Sequence, residues 1–146
     1  MKLVDLNVLL YATDETASHH ASAKTWLDAA LSSTETIGIP TAAAIGYVRL
    51  TTSPRVMESP LDVATSVAVV RGWYGRPNVT APEPTDRHFR LIEELLAPIG
   101  TAGNLVADAH LAALSIEHGA ELCSFDRDFG RFSGVRWFEP TSPSPP

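Results

Sequence analysis

The chain has 146 residues, of which 45% are hydrophobic and 19% charged, a composition typical of a soluble globular domain. Its net charge of −6 counts against non-specific nucleic-acid binding, although an acidic pocket for a divalent cation would carry charge of this kind. The one cysteine excludes an internal disulfide, and no signal peptide or run of about 20 apolar residues is present, so we expect a cytoplasmic protein without membrane contact.

Short apolar runs that suit buried strands alternate along the chain with runs of helical periodicity. The predicted strands cover 2–6, 36–39, 79–81, 121–125 and 135–138. The predicted helices cover 19–31, 41–50, a segment beginning at Ser59 and Pro60, a segment capped by Thr85, and 104–118. This alternation predicts an α/β fold, a three-layer α/β/α sandwich with a mostly parallel central sheet. We expect one domain over residues 1–140 and a disordered Pro/Ser tail over 141–146.

Two predicted strands end in an aspartate, Asp5 and Asp126. Because ligands bind beyond the carboxyl ends of parallel strands, both carboxylates are candidates for a site at one edge of the sheet. Two other roles stay open at this stage. Asp5 is also suited to capping the next helix, and Asp126 to a turn.

Asp108 lies in a helix of small and apolar residues, where a carboxylate is not an ordinary solvated charge. It either reaches water at the helix edge or points into a cleft at the sheet rim. Three clustered carboxylates raise each other's pKa, and Mg²⁺ or Mn²⁺ with oxygen ligands would relieve that repulsion. Water activated by such an ion can attack a phosphodiester. The sequence contains neither His-x-x-x-His nor Cys-x-x-Cys, which argues against zinc.

Several polar residues are candidates for supporting roles around these carboxylates. Asn7 is suited to orienting Asp5, Asn104 lies one helical turn before Asp108, and Ser124 precedes Asp126 by two residues. His110 is expected on nearly the opposite helix side from Asp108, in a structural role. Arg49 is the leading candidate for a phosphate contact, and the further rim candidates are Arg87, Arg90, Arg127 and Arg131.

Three segments together resemble the acidic motifs of PIN-domain proteins, and more narrowly of VapC-type toxins of bacterial toxin–antitoxin pairs. They are Val4-Asp5-Leu6-Asn7-Val8-Leu9-Leu10-Tyr11, Gly103-Asn104-Leu105-Val106-Ala107-Asp108-Ala109-His110, and Ser124-Phe125-Asp126-Arg127-Asp128-Phe129. The resemblance spans nearly the whole chain. It implies a PIN-like nuclease domain that acts as a metal-dependent endoribonuclease on structured RNA, with Asp5, Asp108 and Asp126 as metal ligands and Asp128 as a weaker candidate. It also implies a homodimer neutralised by a small VapB-type antitoxin.

The chain departs from the PIN pattern at Gly46, which falls where the family commonly carries a further acid. A glycine offers no side-chain ligand, so the site would hold one ion, hold it weakly, or recruit another acid. This departure keeps a second interpretation open, a catalytically weak or inactive PIN-like module that binds RNA or a protein partner.

Overall fold

A five-stranded parallel sheet forms the centre of the protein in the computed structural model, which describes residues 1–100 and 102–141. Its strands are β1 (Lys2–Val4), β2 (Ile37–Gly38), β3 (Val79–Thr80), β4 (Glu121–Cys123) and β5 (Trp137–Phe138). They lie in the order β3-β2-β1-β4-β5, and every neighbouring pair is parallel. Each predicted strand is therefore present, although each is shorter than its apolar run.

Helices cover both faces of the sheet in two separate apolar clusters. The described residues contain six helices: α1 (Leu6–Thr13), α2 (His20–Leu31), α3 (Thr41–Thr51), α4 (Val63–Tyr74), α5 (His88–Leu96) and α6 (Leu105–Glu117). Val4 packs in the cluster formed with α1 to α4, whereas its neighbour Leu3 packs in the cluster formed with α5 and α6. Alternate strand residues thus face opposite helical layers, and the predicted three-layer α/β/α sandwich is confirmed.

Two helix starts differ from the sequence prediction. The helix expected to begin at Ser59 begins at Val63, because the Asp62 carboxylate accepts a hydrogen bond of 2.7 Å from the Thr65 backbone N–H. The helix expected to be capped by Thr85 begins at His88. The Thr85 hydroxyl donates to the Glu117 carboxylate instead, so it connects α5 to α6.

The parallel register places the carboxyl ends of β1 and β4 side by side, with Val4 opposite Cys123. The residues that follow these strands, Asp5 and the segment from Ser124 to Asp126, therefore share one edge of the sheet. No helix in the described part of the chain is long and apolar enough to cross a membrane. That residues 1–140 form a single domain stays a prediction, and positions 142–146 of the expected disordered tail lie outside the described residues.

Candidate active site

Asp5 caps α1 and at the same time faces the edge of the sheet. One carboxylate oxygen accepts a hydrogen bond of 2.6 Å from the Leu6 N–H, and the other accepts one of 2.6 Å from the Ser124 hydroxyl. Burial raises the pKa of Asp5, the hydrogen bonds from Ser124 and Leu6 partly offset this, and the negative charge of Asp126 raises it further. The capping role left open for Asp5 is confirmed, and its role in a site at this edge of the sheet stays a prediction.

Ser124 is the centre of the hydrogen bonds that join the two strand ends, and its side chain is fully buried. Besides donating to Asp5, its hydroxyl oxygen accepts from the Asn7 amide at 3.1 Å and from the Asp126 N–H at 2.9 Å. The Asn7 carbonyl oxygen accepts from the Phe125 N–H at 3.3 Å. Ser124 and Asn7 thus link Asp5 to the segment that carries Asp126. Asp126 in turn caps the short 3₁₀ helix Arg127–Arg131.

Asp108 lies in the first turn of α6 and approaches the same carboxylates from the side of that helix. Its pKa is raised to about 6, first by burial and then by the negative charges of Asp126, Asp5 and Asp128. Asp5 and Asp108 line one cavity of about 220 Å³, whose remaining walls are mostly apolar. The fold therefore brings Asp5 and Asp108 to one poorly solvated cavity, with the half-buried Asp126 outside its lining but near enough for its charge to raise the pKa of both.

This donor set suits a hard divalent cation in its chemistry, because it offers only carboxylate oxygens and because a positive ion would relieve their repulsion. Asp5, Asp108 and Asp126 are the residues that would hold it. Among residues 1–100 and 102–141, no three acidic, histidine or cysteine side chains lie close enough together to hold a metal ion. Binding of an ion would consequently have to draw the three carboxylates closer together.

The other predicted site residues lie further out. Asp128 is exposed and 3.9 Å from Arg131, and Asn104 is exposed at the start of α6 without a side-chain capping bond. Arg49 is exposed in a separate groove between α3 and α4, beside Val67. The four other candidate arginines are exposed and do not line the cavity: Arg87, Arg90, Arg127 and Arg131.

The side chain of Leu6 packs against Gly46, the position where the family commonly carries another acid. A Cβ atom added at Gly46 would lie 2.7 Å from Leu6 Cδ2, and Leu6 itself lines the cavity. An apolar side chain therefore fills the space between position 46 and the aspartates. A larger residue at position 46 would require Leu6 to move.

His110 was expected on the opposite side of α6 from Asp108, and this expectation is wrong because both residues line the same cavity. Its Nδ1 lies 2.7 Å from Nε2 of His88, whose Nδ1 lies 2.7 Å from the Glu117 carboxylate. Burial lowers the pKa of His110, and the neighbouring His88 lowers it further. The sequence signals only one part of this chain of contacts, because the spacing of seven residues puts His110 and Glu117 on one helix face, whereas nothing local indicates the contact with His88.

Comparison with known proteins gives a consistent assignment. The PIN domain family model matches residues 2–135. The chain is similar to Ribonuclease VapC37 of Mycobacterium tuberculosis, with 44% identity over 96% of this chain and 97% of that protein. It is also similar to Ribonuclease VapC33 of the same species, with 38% identity over 96% and 98% of the two chains.

Solved structures share the fold at lower sequence identity. The Mycobacterium tuberculosis toxin VapC20, described as cleaving the sarcin–ricin loop, matches with a TM-score of 0.62 and 18% identity, over 93% of this chain and 99% of that one. A chain of VapBC2 from Rickettsia felis, crystallised on promoter DNA, matches with a TM-score of 0.67 and 16% identity, over 94% and 97%. The match over residues 2–135, together with these full-length similarities, establishes that the chain belongs to the PIN-domain family.

Proposed function

We propose that this protein is a metal-dependent endoribonuclease toxin that cleaves structured RNA in the cytoplasm. The observation that carries the proposal is that Asp5 and Asp108 line one cavity and that the negative charge of Asp126 raises the pKa of both. The similarity to proteins named ribonucleases over nearly the whole chain supports the same reaction. We propose Mg²⁺ or Mn²⁺ as the cofactor, because both prefer carboxylate oxygens.

Several residues of the chain have distinct roles in such a reaction. When bound, a divalent cation would neutralise the carboxylates and would lower the pKa of a water molecule, which could then lose a proton and attack a phosphodiester. Ser124 and the Leu6 N–H each donate to one oxygen of Asp5, which fixes the direction of its remaining lone pairs. Asp108, whose pKa is about 6 in the protein without an ion, must be deprotonated before it can hold one.

A second candidate function is an inactive or weakly active module that binds RNA or a protein partner. Leu6 and Gly46 favour it, because they remove the further carboxylate from the cavity wall. The retention of three coupled aspartates favours the nuclease, since such repulsion lowers stability without an ion to offset it.

We also propose that a small VapB-type antitoxin neutralises the protein and that the protein itself is a homodimer. Structures similar in fold include VapBC complexes, which supports a partner of that type. Ile45 and Val63 are each 64% exposed, so α3 and α4 offer apolar surface to a protein. Light scattering on the purified chain tests the dimer, and a monomer at micromolar concentration would contradict it.

The test of the proposed function is cleavage of total cellular RNA by purified protein free of antitoxin, with Mg²⁺, Mn²⁺ or EDTA. Discrete fragments that need the metal and disappear in Asp5→Asn and Asp108→Asn variants are the expected result. RNA that is bound in gel-shift experiments but stays intact under every metal condition would favour the binding module. Fragments that persist in both variants would contradict the assignment of the site.

A further inference from the structure

The cavity that holds Asp5 and Asp108 has one wall residue with a nitrogen-bearing side chain, His110. The remaining lining residues are Leu6, Pro40, Ala42, Ala43, Ala107 and Leu111. His110 also lines an adjoining cavity of about 210 Å³, which is bounded by Pro82, Glu83 and Pro84. The ring therefore lies at the junction between the cavity that Asp5 and Asp108 line and a second groove.

Glu117 and His88 hold this ring in one orientation from behind. The side chain of His88 is 4% exposed and that of Glu117 is 0% exposed, so solvent does not compete with their contact of 2.7 Å. Glu117 is itself fixed, since its other oxygen accepts from the backbone N–H of Thr85 at 3.0 Å and from the Thr85 hydroxyl. Hydrogen bonds from Thr85 and His88 outweigh burial and keep the pKa of Glu117 low, so Glu117 stays ionised.

An ionised carboxylate only accepts hydrogen bonds, and this sets the direction of the bond between His88 and Glu117. His88 must carry its proton on Nδ1 to donate to Glu117. With both rings neutral, His88 Nε2 then accepts from His110 Nδ1–H, and His110 Nε2 is left with a lone pair. Within the part of the chain that the structure describes, no side chain or backbone group bonds to that Nε2.

We propose that His110 Nε2 accepts a hydrogen bond from a ribose 2′-hydroxyl of the RNA strand, with His88 and Glu117 as positioning residues. This inference rests on the proposed function and names one determinant of its substrate class. In a sugar–phosphate backbone the phosphate oxygens only accept, so a lone pair on His110 does not attract them. The 2′-hydroxyl is a donor, and it is the group that distinguishes RNA from DNA.

The test is a double-mutant cycle in which His110 is changed in the protein and one ribose 2′-hydroxyl is removed from the RNA. RNA oligonucleotides carrying a single 2′-deoxynucleotide at each position around the cleaved bond are compared at pH 8 with wild-type protein and His110→Phe. At one position the deoxy substitution should lower kcat/KM of the wild type by about 2- to 10-fold, the usual net effect of one hydrogen bond. The same substitution should have no further effect in His110→Phe. His20→Phe, at the start of α2 and outside the lining of both cavities, should keep the full deoxy effect.

The variant Glu117→Gln tests the chain of contacts from Glu117 through His88 to His110 without removing either imidazole ring. The Thr85 N–H requires an oxygen facing it, so the amide NH₂ must face His88 and donate to its Nδ1. Every bond in the chain then reverses, and His110 Nε2 becomes a donor. A 2′-hydroxyl can also accept a hydrogen bond, so the reversal is tested with a 2′-O-methyl group, which accepts but cannot donate. At the identified position 2′-O-methyl should lower kcat/KM of the wild type as 2′-deoxy does, and it should lower it less than 2′-deoxy in Glu117→Gln, whose fold is checked by thermal unfolding. Equal losses from the two substitutions in both proteins would overturn the inference.

The same oligonucleotides are measured for binding by fluorescence anisotropy, which separates this inference from the proposed function. A position-specific deoxy effect on affinity that depends on His110, in a protein that cleaves no RNA, would support the inference and overturn the nuclease. Cleavage with no deoxy-sensitive position, or with equal sensitivity in wild type and His110→Phe, would overturn the inference alone. Absence of both cleavage and binding would overturn both.

Discussion

Replacing Asp108 by asparagine should stabilise the metal-free protein while it abolishes metal-dependent activity. The pKa of Asp108 in the folded protein is raised from its ordinary 3.8 to about 6, so folding disfavours the charged form. Above pH 6 the carboxylate is ionised in both the folded and the unfolded chain, and the full penalty is present. Below about pH 4 the group is protonated in both states, and the penalty disappears.

The shift from 3.8 to about 6 corresponds to about 3 kcal/mol if the group were fully shielded from water. Asp108 is only partly buried, and solvent screens its repulsion from the other aspartates. We therefore expect a gain of about 1 to 2 kcal/mol at pH 8, or about 3 to 6 °C in Tm for a chain of this length.

Thermal unfolding in EDTA at pH 8 and pH 4 measures this gain for Asp108→Asn. Asp28→Asn is the matched control, because Asp28 is an exposed aspartate in an exposed ion pair with Lys24, and the Tm of this variant should change little. Saturating Mn²⁺ should raise the Tm of the wild type and leave that of Asp108→Asn unchanged. An Asp108→Asn protein that is less stable than wild type in EDTA, or that Mn²⁺ still stabilises, would refute the reasoning.

Three further predictions concern the groups around Asp108. Ser124→Ala removes the donor to Asp5 and leaves the Asn7 amide and the Asp126 N–H without their acceptor. We expect urea unfolding to report a loss of about 2 to 3 kcal/mol, and a loss below about 0.5 kcal/mol would contradict this. Because Asp108 must lose its proton to bind an ion and its pKa is about 6, calorimetry should find Mn²⁺ bound about fourfold more weakly at pH 5.5 than at full ionisation. An affinity independent of pH from 5.5 to 7.5 would exclude Asp108 as a ligand. The double variant Leu6→Ala/Gly46→Glu should bind Mn²⁺ about tenfold more tightly than Leu6→Ala alone, since it adds a carboxylate where Leu6 now fills the space; equal affinities would show that position 46 does not reach the ion.

The sequence was most informative where function depends on the ends of strands. Asp5 and Asp126 follow short apolar runs, and the rule that parallel strands present ligands at their carboxyl ends predicted that they share an edge. The register of β1 beside β4 bears this out. Their additional roles as helix caps could also be expected, because a residue that ends a strand here begins the next helix.

Contacts between residues far apart in the chain could not be predicted from the sequence. His88 and His110 are 22 residues apart on different helices, and no local pattern indicates that their rings meet. The packing of Leu6 against Gly46 likewise depends on the crossing of α1 and α3, which composition does not determine. The start of α4 was misplaced because Ser59 and Asp62 are both good capping residues, and only the observed bond to Thr65 decides between them.

The measurement that tests the central claim most directly is the initial rate of cleavage of one mapped RNA oligonucleotide as a function of Mn²⁺ concentration. It is made with wild-type protein and with Asp5→Asn, Asp108→Asn and Asp126→Asn, each shown to be folded. We predict a saturable dependence on Mn²⁺ for the wild type and a rate at least about 100-fold lower in each variant, because each removes a charge that the ion requires. A variant that cleaves within about threefold of the wild-type rate at the same Mn²⁺ concentration would contradict the assignment of that carboxylate.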